Sequence, residues 1–514
     1  MATTNEFSIP SLIFLCSLAA LLLHWITKSL LNPKTKTKSP PSPRSLPLIG
    51  HLHLVGSVLP KSFQELSFRY GPLMQIRMGA SSCVVASNES VAKEIFKTQE
   101  LNFSSRPEFG SSEYFIYRGS RFVTAQYGDY WRFMKKLCMT KLLSVPQLDK
   151  FAYIRDEEKA KLVESVMGWA KKGMLCDLSQ ELTTYTNNTI CRMAMSTRCS
   201  GSDNDAEEIK GLIKTCLNLA GKLSTGDILG PFRVLDFSGN GKKLVEALRK
   251  YDKIVERIIK EHEEKGSGGF EGETRRDILD ILLETHNDPK AEMALTKKDI
   301  KSFLLDVFFA GTDTSSTAMQ WAMAELISNP TIFAKLRAEI DMVVGPTRLV
   351  NESNVQNLPY LRAVIKETLR LHPSAPLIIR ECAEDCTVNG FVVKAKTRVL
   401  VNVYAVMRDP QTWKNPNEFD PERFMEGSKE RIGEHQMEFK GQNFRYLPFG
   451  SGRRGCPGAL MAMSVMHIAI GALVQSFDWE VKDGETIDLS QGPGFAAEMA
   501  TPLVCYPVPR LNLI

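Results

Sequence analysis

The spacing of apolar residues is helical over most of the chain. Leu162–Ala170, Ile209–Leu219, Leu244–Glu263 and Ile332–Val344 each repeat apolar side chains three and four residues apart, which gathers them on one helix face. Strand-like runs are short, and Leu73–Met78, Ser82–Ala86 and Arg398–Val403 are the clearest. The longest helical pattern is Lys297–Ser328, preceded by Thr296 with Asp299 three residues on, the spacing of a capping box. Asp306, Asp313 and Glu325 interrupt its apolar residues, so it reads as a buried central helix and not as a membrane span. In its middle, Ala310-Gly311-Thr312-Asp313-Thr314-Ser315 collects poor helix formers whose hydroxyls can bond back to carbonyls one turn earlier, which predicts a local distortion. Residues 261–274, rich in Gly and Glu, read as a surface loop. With no internal repeat and no linker after residue 50, the pattern predicts a mainly α chain with small β-sheets, folded as one large domain over residues 51–514.

The first 50 residues have a different character. Ile9–Ile26 carries no acid, Lys or Arg, and its 18 residues just reach spanning length. Glu6 precedes the run and Lys28 to Lys38 follow it, the reverse of a cleaved signal peptide. Residues 1–28 therefore read as an uncleaved anchor with the following chain on the cytosolic side. Residues 29–50 form a basic and proline-rich hinge, where the prolines of 40–50 remove amide donors and prevent the helix from continuing.

Composition narrows the function. At 43% hydrophobic and 24% charged residues the chain is globular, which excludes disordered, collagenous and coiled-coil classes. Lys28, Lys34, Lys36, Lys38 and Arg44 against Glu6 supply most of the formal net charge of +5, so the body lacks the basic excess of a nucleic-acid binder. The 11 cysteines include no C-x-x-C pair, so reduced thiols are expected and neither a disulfide framework nor a zinc ribbon is indicated. Cys382 and Cys386 stand four apart without neighbouring ligands for a metal site.

One cysteine is in a different setting. Phe449-Gly450-Ser451-Gly452-Arg453-Arg454-Gly455-Cys456-Pro457-Gly458 is a glycine-rich loop followed by the helical pattern ALMAMSVMHIAIGALV. Pro457 suits a first helical position, which would set Cys456 at a helix N-terminus, where amides and the dipole lower a thiol's pKa. A thiolate held there suits a soft or redox metal; the plainer alternative is a buried structural cysteine.

The spacing Phe449, Gly452, Arg454, Cys456, Gly458 resembles the haem-binding loop of the cytochrome P-450 monooxygenases. Further segments fit the family in order along the chain: Trp131-x-x-x-Lys135, the Ala310–Ser315 segment, Glu367-x-x-Arg370, and Phe419-Asp420-Pro421-Glu422-Arg423-Phe424. Glu367 and Arg370, taken alone, would pass for a solvated i, i+3 ion pair. Lys135 stands where the family commonly has Arg, and Ile379 where a Pro often precedes the arginine that here is Arg380. The anchor and hinge match the plant microsomal members. Arg380–Gly390, Thr397–Asp409, Ile432–Gly450 and Gly494–Cys505 resemble a branch of friedelin-type triterpenoid oxidases that neighbours the flavonoid oxidases.

The resemblance implies the cytochrome P-450 fold with haem b, its iron held by the Cys456 thiolate, whose electron donation favours O–O cleavage. It implies that Trp131, Lys135, Arg380 and Arg454 meet the haem propionates, that Phe449 belongs to the cofactor loop, and that Asp313 and Thr314 order water and deliver protons. Arg106–Phe122, Phe308–Ala310, Ser374–Ile379 and Phe495–Met499 would line an apolar pocket for a lipophilic small molecule. It further implies NADPH-cytochrome P-450 reductase as electron donor and a single-pass protein of the endoplasmic reticulum membrane facing the cytosol. The expected reaction is hydroxylation of a methyl of a pentacyclic triterpenoid such as friedelin, in successive steps to a carboxylic acid. Flavonoid or strigolactone-type oxidation is the alternative. A haem-thiolate isomerase or a haem sensor is the rival of another class, but neither would need Asp313 and Thr314.

Overall fold

The computed structural model describes residues 38–197, 204–225, 239–266, 276–425, 427, 442–482, 486–493 and 496–511. The predicted anchor of residues 1–28, the first part of the hinge, most of the Gly- and Glu-rich loop, residues 432–441 and Phe495 lie outside the described residues.

Helices dominate, and the predicted segments fall inside Ala152–Lys171, Asn204–Thr225, Asn240–Gly266 and, but for Val344, Pro330–Val343. The central helix spans Lys297–Ser328 as read from the sequence, and its capping box forms: Asp299 N donates to Thr296 Oγ1 at 3.2 Å and Thr296 N to Asp299 Oδ2 at 2.9 Å. It packs against Leu178–Met195, Pro359–Leu371 and Ala459–Ser476, and the stretches on either side of its middle, Ser302–Asp306 and Ser315–Leu326, are almost wholly buried. Gly311 packs where its sequence context did not announce a neighbour: a Cβ there would lie 2.6 Å from Ile190 Cδ1, so a larger residue would make the Ile190 side chain shift. The helix is continuous through Ala310–Ser315, contrary to the distortion expected there. The back-bonding that prompted the expectation is present, with Thr314 Oγ1 donating to Ala310 O at 2.6 Å. Burial on both flanks keeps the helix intact despite poor local propensity.

The sheets are small. Leu73–Met78, Ser81–Ala86, Arg398–Asn402 and Leu377–Glu381 form the largest, in that order, with only the middle pair parallel. Cys386–Val388 and Phe391–Val393 form a hairpin turned by Asn389 and Gly390, whose φ values of 49° and 75° are those of a type I′ turn. Cys176–Asp177, Val504–Pro509 and Phe477–Glu480 make a third sheet. Among the described residues only Ala459–Ser476 is long and apolar enough to cross a membrane, but 83% of it is buried inside the protein, as a core helix is.

Candidate haem-thiolate site

The cysteine loop is shaped by its glycines and held by an acid from elsewhere in the chain. Gly450 and Gly452 take φ of 68° and 69°, and a Cβ on Gly452 would meet Glu100 Oε1 at 2.6 Å and Phe96 O at 2.9 Å. Glu100 accepts from Arg453 N at 2.6 Å and from Arg453 Nε at 3.2 Å. The loop closes on itself where Cys456 N donates to Phe449 O at 2.9 Å, which gives Phe449 a structural place in it. The following helix begins at Ala459 with Gly458 as N-cap, so Pro457 precedes the helix and does not occupy its first position. Cys456 still receives the Gly458 amide. The expected fall in its pKa is not what the surroundings give: burial pushes the thiol up, and the Gly458 amide and Lys135 only partly oppose this. Coordination to a metal deprotonates a thiol outright, so a ligand role does not depend on the free pKa.

The predicted propionate partners gather on one side of this loop. Trp131 and Lys135 are one turn apart on Asp129–Leu137. Trp131 is buried against Phe122 and Tyr127, and the Arg454 guanidinium lies over its ring at 4.4 Å. Arg454 Nε donates to Ser104 O at 2.8 Å, and its Nη2 to Ala125 O. Arg380 is 2% exposed, and its one described hydrogen bond is to its own strand, at Ile379 O, 3.0 Å away. Lys135 donates from its ammonium to Gly455 O at 2.8 Å and so braces the residue before Cys456.

A third arginine joins them that sequence reasoning had placed only in a pocket-lining segment. Arg106 has a buried Nε with no hydrogen-bond partner. Burial, then the neighbouring Arg106 and Arg454 charges, hold Arg380 well below the usual guanidinium range. Burial, then Arg106, push Arg454 down to about 9. Among the described residues no carboxylate offsets Arg380 or Arg454, and Asp306, the acid nearest in effect to Arg106, is taken by Arg121. Three crowded guanidinium groups without a matching anion are costly in the protein alone and are suited to a bound dianion such as a pair of propionates. No spacing rule marks Arg106, which comes from a loop and meets the others only in three dimensions.

The central helix has an open stretch. Between its buried flanks, Ala310 and Thr314 are exposed and Phe309, Gly311 and Asp313 half-buried, so the middle of an interior helix borders a cleft. Cys456 is accessible too, although the protein closely surrounds it and so desolvates the thiol. Asp313 is held above the ordinary aspartate range, first by burial and then by the Glu498 charge, with Lys214 opposing. Ser374 Oγ donates to Thr314 O at 2.8 Å, which brings the predicted pocket segment after the Glu-x-x-Arg helix against the turn that carries Asp313 and Thr314.

Glu367 and Arg370 are fully buried, not solvated. Arg370 Nε and Nη2 donate to Glu367 at 2.6 and 2.8 Å, Arg423 Nε approaches Glu367 Oε1 at 3.3 Å, and Arg370 also serves the carbonyls of Met407, Pro416 and Glu418. This knot ties Pro359–Leu371 to the Asp420–Phe424 segment and to the chain that leads into the cysteine loop.

An accessible cysteine in a glycine-shaped loop, with Arg454 two residues before it and Arg106 and Arg380 near enough for the guanidinium charges to interact, is compatible with a haem-thiolate protein. The family model for cytochrome P-450 matches residues 40–505, and the chain belongs to that family. It is 42% identical over 507 residues to 3,9-dihydroxypterocarpan 6A-monooxygenase of Glycine max, covering 97% of this chain and 98% of that protein. It is 39% identical over 505 residues to beta-amyrin 24-hydroxylase of the same species, covering 98% of both. A zebra fish cytochrome P-450 solved with progesterone superposes with a TM-score of 0.74 at 25% identity, covering 88% of this chain and 99% of that one. The protein is a monooxygenase of plant specialised metabolism whose family carries haem on a cysteine thiolate and draws electrons from a reductase.

Proposed function

We propose that the chain hydroxylates a methyl group of a pentacyclic triterpenoid such as friedelin, in successive steps to a carboxylic acid, with O2 and electrons from NADPH. The observation that carries this reading is full-length kinship with a triterpenoid hydroxylase, beta-amyrin 24-hydroxylase. Phe309, half-buried on the central helix next to the exposed Ala310, gives the open stretch an apolar and aromatic character that supports a lipophilic substrate.

Bound on the Cys456 thiolate, haem supplies the reductive activation of O2. Arg106, Arg380 and Arg454 with Trp131 hold its propionates, and Lys135 steadies the loop through Gly455 O. Asp313, retaining its proton to higher pH than an ordinary aspartate, donates through water toward the cleft. Thr314 gives its own hydroxyl proton to Ala310 O, which leaves its oxygen lone pairs directed at the cleft to accept from that water. The N-terminal apolar segment anchors the protein in the endoplasmic reticulum membrane with the catalytic domain in the cytosol, beside NADPH-cytochrome P-450 reductase.

A second reading, oxidation of a flavonoid-type scaffold, draws on the pterocarpan monooxygenase relative. Microsomes containing the protein and a reductase, given friedelin, β-amyrin and 3,9-dihydroxypterocarpan in parallel, decide between them by mass spectrometry of products. Oxidation of friedelin to alcohol and acid is the expected result. Turnover of the pterocarpan alone would reject the triterpenoid reading.

A further inference from the structure

The predicted pocket segment nearest the C-terminus is fastened by a tryptophan that no sequence motif marked. Residues 490–493 and 496–500 are joined by backbone hydrogen bonds: Ala500 N donates to Ser490 O and Gly492 N to Glu498 O, each at 2.9 Å. At Ala497 both backbone polar groups are engaged. Its N–H donates to Ser374 O at 3.2 Å, and its carbonyl accepts from the indole Nε1 of Trp321 at 2.5 Å. Ser374 in turn donates to Thr314 O at 2.8 Å. Thr314 and Trp321 both belong to the central helix, so the hydrogen bonds form a closed circuit: central helix, Ser374, Ala497, and back to the same helix two turns on.

Trp321 is itself held from behind. It is 1% exposed, and its indole lies flat on the His372 imidazole, with centroids 3.8 Å apart and planes 4° from parallel. His372 Nε2 is 2.7 Å from Glu325 Oε1, and Glu325 sits one turn after Trp321 on the same helix. Burial lowers the imidazole pKa and keeps the ring neutral. A neutral ring with Nε2–H toward the carboxylate has one defined orientation, which fixes the plane on which the indole rests. A side chain stacked on one face and hydrogen-bonded at its edge has no alternative rotamer without breaking both contacts.

We propose that Trp321, backed by His372 and Glu325, is a positioning residue that sets the place of the Ala497–Met499 segment over the pocket, and through it which large ligands fit and which substrate carbon is presented. Glu498 on that segment is also the charge that, after burial, helps to hold Asp313 above the ordinary aspartate range. Displacement of the segment therefore alters both the pocket wall and the surroundings of the proton donor. The proposal rests on the haem-thiolate reading of the site.

Two azoles test it. Imidazole is small and contacts only the iron and its immediate surroundings, whereas clotrimazole carries three aromatic rings that must pack against the pocket wall. Trp321→Phe retains an aromatic face for His372 but removes the N–H, leaving Ala497 O without its partner. Titrating purified haem-loaded protein and following the Soret shift, we expect clotrimazole to bind about tenfold more weakly to Trp321→Phe, of the order expected for one buried hydrogen bond. Imidazole affinity and the reduced carbon monoxide band should be unchanged. Unchanged affinity for both azoles would show that the indole does not position the segment, and equal losses for both would show a general disturbance of the haem site; either overturns the proposal. If neither the wild type nor the variant shows a Soret shift with imidazole, the haem-thiolate reading itself fails, a distinct outcome. Should Trp321→Phe not incorporate haem, His372→Phe preserves the stack while cutting the Glu325 tether. The same selective loss, smaller in size, is then required, and equal or absent losses overturn the proposal.

Discussion

Glu367→Ala removes the acid at the centre of the buried knot beside the cysteine loop. In the wild type Glu367 is 0% exposed, takes two hydrogen bonds from Arg370 and one from the Asp420 amide at 2.9 Å, and faces Arg423. Truncation removes the carboxylate that the buried Arg370 pairs with and one that Arg423 faces, and leaves the Asp420 N–H without its acceptor. Breaking a buried ion pair by removing one partner costs about 3–5 kcal/mol, and an orphaned backbone donor adds roughly 1–3 kcal/mol. Against a domain stability of about 5–15 kcal/mol, the sum is enough to leave much of the chain unfolded or unable to hold haem. Glu367→Gln keeps the shape and an oxygen for the Asp420 amide, so its loss should be intermediate. The assay is haem-loaded protein per total protein from the reduced carbon monoxide spectrum, together with the temperature at which that band is half lost. The expected order is wild type, then Gln, then Ala with little holoprotein. A Glu367→Ala protein with wild-type haem content and the same half-loss temperature would refute the reasoning, because the two cations would then have found other compensation.

Cys456→Ser should abolish the reduced carbon monoxide band of thiolate-ligated haem, since a hydroxyl cannot supply the electron-rich sulfur; a variant that keeps the band rejects Cys456 as the ligand. Thr314→Ala should retain haem and substrate-induced spectral change but consume NADPH with peroxide released in place of product; unchanged product per NADPH would reduce the hydroxyl to its bond with Ala310 O. His467, buried with an unpartnered Nε2, has its pKa pushed down to about 4 by burial. The unfolded chain therefore binds a proton that the native state refuses between the ordinary histidine value and about 4, so stability falls as pH drops through that window. Its contribution at pH 5 relative to pH 7.5 is about 2 kcal/mol; denaturation midpoints at the two pH values should differ less in His467→Gln than in wild type, and an equal difference would show that this histidine is not responsible.

Several features of the fold were legible because they depend on local spacing. The Thr296–Asp299 box and the apolar repeat delimit the central helix, since capping and periodicity act within a few residues. The cysteine loop was legible for a related reason: its glycines answer to backbone angles and close approaches inside a short segment. Whether Glu367 and Arg370 were exposed or buried was not, since an i, i+3 pair looks the same on either face of a helix. The burial is decided by the segment around Met407–Arg423, which comes from about 50 residues away and wraps over it. Gly311 read only as a flaw in helix propensity, and its close packing against the Ile190 side chain of another helix was not visible along one segment.

The sequence by itself determined the class of structure, the loop that carries the ligand cysteine and the helix that faces it, because those rest on patterns within single elements. Tertiary structure alone decided the charge state and the company of the site. Arg106 joins Arg380 and Arg454 from a distant loop, Lys135 turns to Gly455 O, burial raises the Cys456 thiol and the Asp313 carboxyl, and Trp321 reaches Ala497 across 176 residues of chain. The physical reason is common to all of these. Desolvation and long-range pairing depend on what is packed against a group from elsewhere in the chain, and spacing along one segment carries no information about that neighbour.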